Sequence, residues 1–189
     1  MSNLTVADVN SDVEMLMSSF SSGDRLLPSS SHLFKISLAV PSFAFALSLV
    51  GDALGYLSLA REQHSIIGYY YYILSDGWAV LLPTFILGLF FAFMVYNNLM
   101  TYMAVPKNVR EKSVILLHLK KIVQRTIAVF AFLMFVAALA SSYVSWAVLT
   151  IPVLMMVLFF SVNIIVSSEI NRLGAGVALE KVSALLKKI

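Results

Sequence analysis

The sequence predicts an all-α, polytopic membrane protein with four transmembrane helices, cytoplasmic termini and short amphipathic helices at its ends. Three observations predict it. Apolar types make up 60% of the 189 residues against 12% charged, whereas soluble domains run at about 45–50% and about 25%. A chain this short cannot hide so much apolar surface in one water-soluble core. Four stretches reach the ~20 apolar residues that a spanning helix needs, and nearly all basic residues fall on one side of them.

Residues 1–35 form the N-terminal cytoplasmic segment. Val6, Val9, Val13, Leu16, Met17 and Phe20 recur at helical spacing, which predicts an amphipathic helix with an acidic polar face. Ser11 and Glu14 have the spacing of a capping box. Acidity argues against an anchor for anionic lipid, so the helix is expected to pack on the basic loop described below or on a partner protein, with an unfolded segment as the alternative. Ser21-Ser22-Gly23-Asp24 and Pro28-Ser29-Ser30-Ser31 make a turn-rich linker. No cleavable signal peptide is expected, because the opening is polar and the first apolar run starts late and is too long. That run then serves as its own insertion signal.

The bundle is expected over 36–168. Its first span, 36–60, contains one charge, Asp52; the others, 78–103, 126–143 and 146–168, contain none. All four are continuous apolar runs without alternation, which excludes a β-barrel reading and leaves helices, whose backbone bonds are satisfied internally. Pro41, Pro83 and Pro152 lie early in these segments, where helix damage is limited. Residues 104–125 form a basic loop whose second half extends the third helix. Residues 169–189 form a basic tail, in which Ala178, Val182, Leu185, Leu186 and Ile189 line one face.

Of the 13 Lys and Arg, only Arg61 falls in the 61–77 segment, and none in the 144–145 turn. Lys107, Arg110, Lys112, Lys120, Lys121 and Arg125 crowd the middle loop, and the remainder flank the termini. Retention of positive charge on the cytoplasmic side then puts both termini and the middle loop inside. Tyr69 to Tyr72, Trp78, Tyr143 and Trp146 fall at the outer boundary and Tyr96 and Tyr102 at the inner one, as interfacial aromatics do.

The chemistry in the sequence is mostly excluded chemistry. Zero cysteines rule out disulfides, thiolate metal sites and cysteine nucleophiles. His32, His64 and His118 are split between the two sides, and no metalloprotease, phosphate-loop or nucleophile-elbow motif occurs. Gly174-Ala175-Gly176 reads as a helix break. No catalytic, cofactor-binding or metal-binding residue is expected, and a formal net charge of +3 is too small to suggest a nucleic-acid partner.

Two polar positions inside the spans carry functional candidacy. Asp52 lies roughly 24 Å along a helix from Ile36, close to the outer boundary, where an interfacial carboxylate is the bland reading and a proton or ion site the sharp one. Asn163, on the fourth span, and Asn97 and Asn98, at the inner end of the second, read as hydrogen-bonding contacts between helices.

The most specific pattern concerns packing. Ser37, Pro41, Ala44, Ser48, Gly51 and Gly55 line one stripe of compact residues along the first span, ending in Gly-x-x-x-Gly. Ala128, Ala131, Ala138, Ser142 and Ser145 echo it on the third. Small residues let helix backbones approach closely. The stripes can face each other within the bundle or face another protein, including a second copy, and the sequence leaves both open.

Size, four hydrophobic segments, the cytoplasmic basic loop and the stretch Ser22-Gly23-Asp24-Arg25-Leu26-Leu27-Pro28-Ser29 ahead of the first span resemble the entry exclusion proteins of F-type conjugative plasmids, the TraS proteins. The resemblance implies an inner-membrane protein of the recipient cell that blocks redundant plasmid transfer by recognising a donor mating-pair protein of the TraG kind, without catalysis. It carries over no individual residue. The expected function is therefore recognition or immunity; a small transporter or channel subunit, and a structural subunit of a larger membrane complex, are the alternatives.

Overall fold

The computed structural model describes residues 5–21, 29–59 and 64–173. The Ser22–Pro28 part of the linker, Arg61, Gly174-Ala175-Gly176 and the basic tail with Lys181, Lys187 and Lys188 lie outside the described residues. Within them, helix α1 spans Val6–Ser21, α2 Ser30–Ser58, α3 Ile66–Tyr72, α4 Trp78–Met103, α5 Lys107–Lys112, α6 Val114–Ala140 and α7 Thr150–Arg172. A π-helical turn, Ile73–Gly77, joins α3 to α4, and a 3-10 turn, Ser145–Leu149, leads into α7. No strand occurs among the described residues.

Four helical runs, Ser30–Ser58, Ile66–Met103, Val114–Ala140 and Ser145–Arg172, are long and apolar enough to cross a membrane. Each starts earlier in the sequence than its apolar core alone suggests. Hydrogen-bonded helix continues into the polar flanks, because length is set by caps and tertiary contacts as well as by hydropathy. One consequence corrects the reading of two prolines: with α2 beginning at Ser30 and the second run at Ile66, Pro41 and Pro83 lie in helix interiors. There each ring removes one backbone bond.

In cross-section α2 meets α4 and α6, α7 meets the same two, and α4 and α6 take opposite corners. The stripe on α2 faces inward over its whole length: Ser37, Pro41, Ala44, Ser48, Gly51 and Gly55 are all buried. It serves two neighbours. Pro41 lies against Gly88 of α4, and the Ser48 and Thr84 hydroxyls meet at 3.3 Å. Gly51 lies against Ala138 and Val148, and Gly55 against Ser145. Where lipid is as apolar as the side chains, such close backbone approach and small hydroxyl contacts hold helices together. The central core adds Leu47, Phe91, Met134, Ile151, Met155 and Leu158, while Phe90, Phe93, Phe132 and Ile164 stay exposed on the outside, as a lipid-facing surface requires.

On α6 the small-residue face differs from the expected one. Ala137, Ala138 and Ser141 are buried, Ala131 is half-buried, and Ala128 and Ser142 are exposed. Small residues that face inward therefore gather in the last turns of the helix. The Ser141 hydroxyl, rather than that of Ser142, donates to the Gly51 carbonyl at 2.7 Å.

Candidate functional site

Two polar clusters stand out, at opposite ends of the bundle. At the end formed by the turns around α3 and the 3-10 segment, Asp52 is fully buried. Neither carboxylate oxygen has a hydrogen-bond partner of good geometry. The Tyr69 hydroxyl of α3 reaches toward it, and Asp76, exposed in the π turn, is the other carboxylate acting on it. The space comes from a missing side chain: a Cβ on Gly77 would lie 2.7 Å from Asp52 Oδ2 and 3.0 Å from Oδ1. The extra residue of the π turn brings that glycine round to face Asp52, and such turns recur at functional sites.

Aromatic rings close this end. Tyr56 packs against Tyr69, Tyr72 and His64 at centroid distances of 5.5, 5.4 and 5.4 Å, and its hydroxyl donates to the Ser65 carbonyl at 3.3 Å. Tyr56 and Tyr72 are therefore core residues, whereas Tyr70, Tyr71, Trp78, Tyr143 and Trp146 are exposed at this end, where interfacial aromatics belong. The sequence signals Asp52 by its charge alone. It puts Tyr69 at the same boundary without pairing the two, and gives no sign of Gly77, which belongs to the π turn.

The opposite end is built from α1, α5 and the start of α6. Helix α1 begins earlier than the Ser11–Glu14 spacing suggests. Its capping box is Thr5–Asp8: the Asp8 N–H donates to Thr5 Oγ1 at 3.2 Å, and the Thr5 N–H and hydroxyl donate to Asp8 Oδ2 at 3.0 and 2.6 Å. These bonds hold the exposed Asp8 carboxyl below the usual carboxylate range. Ser11 sits inside the helix and donates to the Asp8 carbonyl, so it cannot cap.

The apolar side of α1 rests on this end through two small clusters. Val9 packs with Ile115, Val13, Leu119 and Leu173, and Leu16 with Val105, Met17, Val109 and Leu116. Between them Asp12, 4% exposed, accepts the Ser113 hydroxyl at 2.8 Å and the Ile115 N–H at 3.0 Å. Ser113 itself caps α6 by accepting the Leu116 N–H at 3.2 Å. A carboxylate from a distant helix thus completes the N-cap of α6, where unpaired N–H groups and the helix dipole favour negative charge. Nearby, Glu169 of α7 pairs with Arg172 at 2.8 Å and faces His118 at 3.4 Å, and Arg110 stacks over Tyr102 at 5.2 Å. The sequence does not mark Asp12 as a site residue, because its partners lie about a hundred positions away.

Asn163 is exposed on α7; its amide donates to the Phe159 carbonyl and to Met94 Sδ, both at 2.8 Å. It therefore ties α7 to α4 at the bundle's edge and joins neither cluster. Among the described residues, no group of three His, Asp, Glu or Cys could hold a metal ion. Neither protein-family models, nor curated proteins, nor solved structures match this chain.

Proposed function

We propose that the chain is a multi-pass protein of the bacterial inner membrane, with both termini and the basic loop in the cytoplasm, that acts by recognition without catalysis. The functional class that fits best is plasmid exclusion: lowering redundant conjugative transfer by engaging a donor mating-pair protein of the TraG kind. The observation that carries this reading is the seating of α1 on the α5–α6 corner through Asp12, Val9 and Leu16. An acidic helix fixed on a basic corner presents a defined protein surface at one end of an otherwise lipid-facing bundle. Asp8, Asn10, Ser11, Glu14 and Ser18 all point away from that contact and are exposed.

The test is conjugation into recipients that express the protein. Fewer transconjugants from donors carrying the cognate plasmid support exclusion, and an unchanged mating frequency sinks it. Reporter fusions near Arg110 test the orientation; periplasmic activity there would reverse the map.

A second reading, a small transporter or channel subunit, is favoured by one observation: the buried Asp52 carboxylate, toward which the Tyr69 hydroxyl reaches without a hydrogen bond of good geometry. Ion or proton flux in proteoliposomes that disappears in Asp52→Asn would move the conclusion to transport.

A further inference from the structure

The corner beneath α1 has the properties of a binding site. It offers a carboxylate receptor in the Ser113 hydroxyl and the Ile115 N–H, 2.8 and 3.0 Å from Asp12 Oδ2. Apolar seats lie to either side of that receptor, one taking Val9, three positions before Asp12, and the other Leu16, four positions after it. Positions at those offsets share one face of a helix. Lys107, Arg110 and Lys112 outnumber Glu111, which pairs with Lys107 at 3.8 Å, and leave α5 a positive border to the corner, while α1 carries Asp8, Asp12 and Glu14 and no Lys or Arg. The two apolar seats share no buried residue with the core of the bundle, so α1 can leave without disturbing helix packing below.

We propose that the α5–α6 corner is an acceptor for an acidic amphipathic helix, held here by the chain's own α1, and that a partner protein binds by seating its own helix there in exchange. The ligand pattern is read from the occupant: an aliphatic residue, Asp three positions later, and an aliphatic residue four beyond that. A foreign helix fits this role better than a second copy, because a swapped α1 only repeats the contacts of the tethered one, whereas a partner's helix can outcompete it through contacts made by the rest of the partner. Naming the occupant as a partner's helix rests on the recognition reading above; the acceptor itself does not.

The test uses the full chain in nanodiscs and a fluorescent peptide of residues 5–21. Asp12→Ala in the chain weakens the tethered competitor and changes no residue of the corner, whose Ser113 hydroxyl and Ile115 N–H are left open for the carboxylate of an added peptide. This variant is expected to bind the wild-type peptide at least tenfold more tightly than the wild-type chain does. The same peptide carrying Asp12→Ala is expected to bind the variant chain at least tenfold more weakly. Equal affinities of the two chains, or of the two peptides, overturn the proposal. Because the protein has no cysteine, a Leu16→Cys, Val105→Cys chain supplies an independent check: peptide binding under reducing conditions, lost on disulfide formation. Binding that survives the lock overturns the proposal, as does a dimer formed by exchange of α1 in the wild-type chain. Peptide exchange with unchanged mating frequency keeps the acceptor and removes exclusion; the reverse result keeps exclusion and removes the acceptor.

Discussion

The Asp52 carboxylate occupies the space that a side chain on Gly77 would need, with its Oδ2 2.7 Å from the position of a Cβ there. Gly77→Ala must therefore push the π turn away from α2 or turn the carboxylate aside. The expected cost is about 1–3 kcal/mol, typical of overpacking a filled site. Asp52→Ala empties the same space, so the double variant Asp52→Ala, Gly77→Ala is expected to recover most of that loss. Thermal unfolding of the four chains in detergent checks it as a double-mutant cycle. Strict additivity would show that the two positions do not compete.

Gly51 and Gly55 look equivalent as a Gly-x-x-x-Gly pair, but their surroundings differ. A Cβ at Gly51 would lie 2.8 Å from a Val148 methyl and 3.3 Å from the Ala138 Cα, whereas at Gly55 the nearest atom is the Ser145 carbonyl at 3.4 Å. Gly51→Ala is expected to cost about 1–3 kcal/mol and Gly55→Ala under about 1 kcal/mol, read from melting in the same detergent. A larger loss at Gly55 would contradict the packing of α2 against α6 and the 3-10 turn.

These two glycines also show what the sequence can and cannot disclose. Compactness is a property of each residue, and a helical period places such residues on one face, so the inward stripe on α2 is legible from residue types and spacing alone. On α6 and the turn after it, Ala138 and Ser145 meet the stripe as expected, but Ser141 stands where Ser142 is expected. Small residues occur on both sides of α6, and only the contact with Gly51 selects Ser141 over Ser142. The role of Gly77 depends on a π turn that no local residue pattern announces. Asp12 and Ser113 are 101 positions apart, a pairing that hydrophobic periodicity does not encode, although the same periodicity does place Val9 and Leu16 on the docking side of α1.

Removing the Asp12 carboxylate leaves the Ser113 hydroxyl and the Ile115 N–H facing an apolar gap. Loss of a buried hydrogen-bonding partner costs about 1–3 kcal/mol, and here the loss falls on the attachment of α1 and the first turn of α6. Asp12→Ala is expected to raise hydrogen exchange across residues 6–21 and at Ile115 and Leu116, with exchange in the middle of α2 and α7 unchanged. Protection lost throughout the bundle would show that α1 is part of the core and not a separable cap.

The Thr5–Asp8 capping box ties the start of α1 to pH. Its hydrogen bonds lower the folded pKa of Asp8 below the usual value of 3.8, so the ionised form is the one that folding favours. The stabilisation is present above the unfolded pKa and is lost as pH falls through the folded one. The box should therefore hold the first turn of α1 equally well from neutrality down to about 4, near the ordinary Asp value, and let that turn fray below it. Thr5→Ala removes both the hydroxyl donor to the carboxylate and the acceptor for the Asp8 N–H, and is expected to return the Asp8 midpoint toward its ordinary value. Carboxyl carbon shifts of Asp8, followed by NMR through an acid titration of both chains, measure the two midpoints directly. A wild-type midpoint at or above that of Thr5→Ala would mean that the box does not form in solution.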